Sequence, residues 1–164
     1  MSRLLAIDVG ERRIGLAIAD TQTGSVRPLA TIRRADPARD GRTLARFLAE
    51  QAIDELVVGL PLNSDGSEGR QAALTRDWAA GIATALARPI AWRDERLTSV
   101  DAEARAGRPS RGRAGGPPSP ATRAAYRARI DRLAASGIAQ AELDARAASD
   151  RAAGERAAGE RHNS

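Results

Sequence analysis

An α/β domain built on a mixed five-stranded sheet is the fold class that this sequence predicts, and three observations predict it. Two apolar segments at the start, residues 4–9 and 14–19, read as strands joined by a tight polar turn. A third strand pattern, 26–33, follows a turn at Thr23 and Gly24, which suggests an antiparallel meander. From there on, helical and strand patterns alternate, as expected when helices cover the faces of a sheet.

The elements follow in order. Over residues 38–51, Leu44, Phe47, Leu48 and Gln51 fall at helical spacing. Residues 53–60 form a short apolar run closed by Gly59 and Pro61, the pattern of a buried parallel strand. After the loop PLNSDGSEG, the spacing of Leu74, Trp78, Gly81, Ile82 and Ala85 predicts a second helix that stops before Pro89. Residues 89–93 read as a last short strand leading into DERLTS. Thr98 and Asp101 have capping-box spacing and open a third helix. A Gly- and Pro-rich loop spans 107–120. A final helix covers 122–143 with the stripe Tyr126, Ile130, Leu133, Ala134, Gly137, Ile138 and Ala141. The domain is expected to occupy residues 1–144. Residues 145–164 hold nothing apolar larger than alanine, so they are expected to be a disordered or frayed tail. The order βββ-α-β-α-β-α is that of a ribonuclease-H-like domain.

Composition narrows the function classes. The 164 residues suffice for one domain with a real core. The absence of cysteine excludes disulfides, thiolate metal sites and cysteine nucleophiles. No apolar run reaches the ~20 residues of a membrane span, and the start enters a strand at once. A cytoplasmic protein without a membrane partner is therefore expected. The net charge is +5, and all 26 basic residues are arginine, whose planar donor fork matches phosphate. That balance fits nucleic acid, although a lysine-free, Ala- and Gly-rich chain also follows from GC-rich coding. With four aromatic residues, a base-stacking platform of several rings is not expected.

The candidate chemistry lies at strand ends. Asp8 stands near the end of the first strand, where a carboxylate is costly to bury unless a cation or several donors meet it. Asp94 and Glu95 follow the last strand, and either of them suits the same site. Asp131 sits on the final helix beside Ile130, bordering the face that should pack on the sheet. Carboxylates from two strand ends and a helix make a hard-ligand constellation for Mg²⁺ or Mn²⁺. Two such ions ~3.5–4 Å apart support in-line hydrolysis of a phosphodiester. Each acid taken singly also has an ordinary explanation: Asp94 and Glu95 as loop charges, Asp131 as a partner of Arg127 or Arg129. Arg12, Arg13 and Arg96 flank the acids and are expected to hold substrate phosphates. Asn63, with Ser64 and Ser67, is expected in a phosphate-binding loop ahead of the second helix. His162, in the tail, is expected to be inert.

Three blocks, LLAIDVGERRIGLAIAD, LVVGLPLNSDGSEG and WRDERLTS, resemble in sequence and order the YqgF family of bacterial pre-16S rRNA nucleases, also described as Holliday junction resolvase-like. The resemblance continues more weakly through RIDRLAASGIAQAELDA and covers roughly residues 4–144. It implies a ribonuclease-H fold, processing of the 5′ end of 16S rRNA in the cytoplasm, and an acidic set at Asp8, Glu95 and Asp131, with Asp94 as the rival to Glu95. The implied partners are RNA (pre-16S rRNA and the pre-ribosome) or branched DNA, for a monomer or homodimer. The final helix departs from the family pattern, since Ala135, Ser136, Gly137, Gln140 and Glu142 dilute its apolar run.

Two other readings stay open: a junction resolvase using the same chemistry on four-way DNA, and a non-catalytic RNA-binding assembly factor. An actin-like or sugar-kinase fold also opens with Asp-x-Gly between strands, but it would need a second related domain.

Overall fold

The computed structural model describes residues 2–95, 98–110 and 115–162. Strands β1 (Arg3–Val9), β2 (Arg13–Asp20) and β3 (Ser25–Arg33) form an antiparallel meander. Helix α1 (Pro37–Gln51) leads to β4 (Glu55–Leu60), and α2 (Arg70–Leu86) leads to β5 (Ile90–Asp94). Helices α3 (Thr98–Ala106) and α4 (Pro120–His162) complete the order. The sheet runs β3-β2-β1-β4-β5, with β4 parallel to both β1 and β5. This is the expected mixed five-stranded α/β architecture. Among the described residues, no helix is long and apolar enough to cross a membrane.

The two faces of the sheet are filled differently. One face carries Leu5, Ile7, Val9, Ile14, Leu16, Ile18, Leu56 and Val58 against Leu44 and Leu48 of α1 and Trp78 and Ile82 of α2. The other carries Leu4, Ala6, Ala17, Ala19 and Val57 against Ala135, Ile138 and Ala139 of α4. Strand alternation makes this division, since adjacent residues face opposite sides. Small side chains on both partners let α4 lie close to its face, and Thr31 Oγ1 ties it to β3 by donating to the Ala128 carbonyl at 2.7 Å.

Buried Asp40 sets the rotation of α2 against α1. Its Oδ2 accepts from Trp78 Nε1 at 2.9 Å, and its Oδ1 accepts from the Ala35 amide at 2.9 Å. With Trp78 turned inward, Ala72, Thr75, Ala79 and Ile82 follow it, whereas Leu74, expected in the apolar stripe, is 41% exposed.

The expected boundary at residue 144 falls inside α4, which continues helical to His162. Arg146, just past that boundary, reaches Glu55 of β4 at 2.7 Å and Glu142 at 2.6 Å. Glu142 is almost wholly buried and also meets Arg93 of β5 at 2.5 Å, a charge contact without an aligned hydrogen bond. This clamp between α4, β4 and β5 extends the docked part of the helix beyond Leu143, its last apolar residue larger than alanine.

Candidate active site

Asp8 and Glu95 meet at the end of the sheet where the parallel strands finish, with Asp131 near enough for its charge to act on Asp8. Asp8 lies on the α4 face, alternating with buried Leu4 and Ala6. Its cross-strand partner is Gly15 of β2.

Glu95 arrives from β5. Its amide donates to the Leu60 carbonyl at 3.1 Å, which prolongs the β4–β5 pairing by one step. Alternation then separates the two adjacent acids: Ile90 and Trp92 pack on the leucine-rich face and Ala91 on the α4 face. Glu95 therefore falls on the face of Asp8, while Asp94 is exposed and falls on the other. Gly59 of β4 lies beneath Glu95. A Cβ there would come 2.8 Å from Glu95 Oε2 and 3.1 Å from Ile138 Cγ1, so the missing side chain leaves the space that the acid uses.

Glu95 and Asp8 are joined by a side-chain hydrogen bond. Burial and the neighbouring negative charge of Asp8 push Glu95 up to about 9. Burial also raises Asp8; the bond from Glu95 opposes that rise, and the charge of Asp131 adds to it. Two carboxyls pressed together in a half-buried place retain a proton in this way.

Asp131 reaches the site because Gly15 allows it. A Cβ on Gly15 would be driven deep into the Asp131 carbonyl and to 3.1 Å from its Cα, so the α4 backbone rests directly on the β2 backbone at this point. Asp131 does not pair with Arg127 or Arg129. Its Oδ2 accepts from Arg13 Nε at 2.6 Å, with the two side chains 18% and 35% exposed. Arg13, expected on substrate phosphate, is thus engaged with an acid of the site.

All donors of the set are carboxylate oxygens, which suits a hard divalent cation. As they stand, no three acidic or imidazole side chains among the described residues are gathered closely enough to hold one. Arg13 is paired with Asp131, and Asp8 and Glu95 contact each other.

Arg12 is exposed on the β1–β2 hairpin. With Gly10, Glu11, Arg13 and Asp131 it lines a cleft of about 200 Å³. Asn63 is given to its own loop: its Nδ2 donates to Ser67 Oγ at 2.9 Å, its amide to the Ser67 carbonyl, and Gly66 N to its carbonyl. The loop is therefore pre-shaped at the end of β4, with one donor of the Asn63 side chain engaged within it. The expectation for Arg96 falls outside the described residues. Sequence reading missed the roles of Gly15 and Gly59 as gaps for Asp131 and Glu95. The signal was a glycine inside an otherwise apolar strand, which marks close approach without saying by what.

The family model described as "RuvX: Holliday junction resolvase" matches residues 2–145. A protein of Chloroflexus aurantiacus named "Putative pre-16S rRNA nuclease" is 41% identical over 143 residues, 87% of each chain. One of the same name from Anaeromyxobacter sp. strain K is 39% identical over 145 residues, 88% of this chain and 98% of that one. A solved structure of RuvC from Thermus thermophilus shares the fold at TM-score 0.50 and 14% identity, over 89% of this chain and 96% of that one. With the match running through every strand and into α4, the chain belongs to the RuvX (YqgF) family of nucleases, hydrolases of phosphodiester bonds on a ribonuclease-H-like fold.

Proposed function

We propose that this protein cleaves RNA with the help of Mg²⁺ or Mn²⁺, processing the 5′ end of pre-16S rRNA in the cytoplasm. What supports the reading is the placement of three acids from separate elements near one end of the sheet: Asp8 of β1, in side-chain hydrogen-bond contact with Glu95 over the gap at Gly59, and Asp131 over Gly15, whose charge acts on Asp8. The names of the relatives favour precursor rRNA as the substrate.

Asp8, Glu95 and Asp131 would hold the cation. When bound, it would lower the pKa of an attacking water and stabilise the departing oxygen. The remaining work belongs to the chain. The Asp8–Glu95 pair must give up its proton, and the hydrogen bond between them keeps both carboxyls oriented until then. Arg13 supplies Asp131 with a positive neighbour, and Arg12 stands exposed beside the cleft as a phosphate contact.

The test is cleavage of a precursor-rRNA 5′ end and of a four-way DNA junction by wild type, Asp8→Asn and Glu95→Gln, each with Mg²⁺, Mn²⁺ or EDTA. Cation-dependent cutting of the rRNA, lost in both variants, is expected. Cutting of the junction alone would make the protein a resolvase, and undiminished turnover by either variant would remove the acids from catalysis.

A further inference from the structure

We propose a second binding surface, a cleft between the end of β3 and the start of α1 that takes the phosphodiester backbone of the nucleic acid on the β3 side of the carboxylates. The proposal rests on the nuclease reading only for what the bound strand is there to do.

The cleft has a volume of about 580 Å³ and is lined by Arg33, Arg34, Ala35, Arg39, Asp40 and Thr43. Arg3, Arg13, Arg76, Arg93 and Arg146 are each in an ion pair, whereas among the described residues neither Arg33 nor Arg39 forms one. Both are exposed. The nearby acids are committed elsewhere: Asp40 is buried on Trp78 and the Ala35 amide, and Asp36 caps α1 by accepting from the Arg39 amide at 2.9 Å. Arg33 and Arg39 thus line the cleft without an ion-paired acid among the described residues, and guanidinium donors match phosphate.

Arg34 joins this cleft to the active site. Its Nη1 donates to the Gly10 carbonyl at 3.0 Å, and its amide donates to the Arg12 carbonyl at 3.0 Å. Gly10 and Arg12 are walls of the smaller cleft that holds Asp131. Arg33 also stands opposite Arg13 in the β2–β3 register. A basic path therefore runs from the acids across the 10–13 hairpin to Arg33 and Arg39, and a strand passing the acids has charge partners along it.

The experiment measures binding, not cleavage. A labelled single-stranded oligoribonucleotide in EDTA is titrated at several salt concentrations with wild type, Arg33→Gln/Arg39→Gln, and a charge-matched control, Arg27→Gln/Arg88→Gln, at the opposite end of the sheet. Loss of two phosphate contacts should flatten the slope of log affinity against log salt by about 1.4 and weaken binding roughly 10- to 30-fold near 0.1 M salt. The control should keep the wild-type slope. Equal slopes for the two double variants, or no salt-dependent binding by wild type, overturn the cleft. Cleavage by wild type, followed in parallel, reports separately on the nuclease reading: a flattened slope beside an inert wild type keeps the cleft and removes the enzyme.

Discussion

Replacing Gly15 by alanine sets two effects of opposite sign against each other. In an open strand, Gly→Ala stabilises by about 0.5–1 kcal/mol, because glycine loses more chain entropy on folding. Here the new Cβ would meet the Asp131 carbonyl far inside 3.0 Å, a separation that real Cβ atoms essentially never show. The obstacle is backbone within a helix, so no rotamer change relieves it, and α4 must back away as a rod. That retreat loosens Ala135, Ile138 and Ala139 from Leu4, Ala6, Ala17 and Ala19. Overpacking of this kind costs about 1–3 kcal/mol, which exceeds the entropic gain. A net loss near 1–2 kcal/mol lowers Tm by about 2–8 °C for a chain of this size. Catalysis should suffer more, since misplacing a catalytic group by on the order of 1 Å can cost ~100-fold. Thermal unfolding and cleavage assayed well below Tm check both together. A variant with raised Tm and wild-type turnover would show that α4 does not rest on β2 at this point.

Three further outcomes are expected. Glu95 is raised in the fold from 4.5 to about 9, so its contribution to cation-free stability is full below pH 4.5 and is lost as pH climbs through about 9; Glu95→Gln should flatten the fall of Tm over that window, and an unchanged Tm-against-pH curve would separate Glu95 from Asp8. Arg13→Gln should tighten Mn²⁺ binding in calorimetry by removing a competing cation from Asp131, at a stability cost of about 1 kcal/mol for a pair that is only partly buried; weaker binding would instead make Arg13 a support of the ligand set. Truncation after Asp150 should leave Tm unchanged, whereas truncation after Asp144 removes Arg146 and leaves buried Glu142 with Arg93 alone. That loss should cost about 1–3 kcal/mol, and equal melting of the two truncations would dismiss the clamp.

The sheet was legible because its strands are short apolar runs between turn residues, and Asp8 was legible as an acid inside one of them. The choice between Asp94 and Glu95 was not, since neighbours in sequence look alike until Ala91 and Trp92 are assigned to opposite faces. Arg146 was equally hidden, because an ion pair with Glu55 leaves no local pattern. The face of α4 was read only in part: the expected stripe included Ala134 and Ile138, which are buried, but not Ala135 and Ala139, which lie equally deep. Alanine carries little hydrophobic signal, so the dilution of this helix looked like a weakness. In the fold it sets the spacing: alanines at 6, 17 and 19 meet alanines at 135 and 139, and with Gly15 they bring α4 down until its backbone touches β2. Leucines at those positions would bury more apolar area, by about 25 cal/mol per Å², yet would hold the helix further from the sheet. Asp131 would then stand away from Asp8 and Glu95. The small-residue layer therefore gives up hydrophobic burial on one face and gains the close approach of the α4 backbone, and with it Asp131, to the sheet.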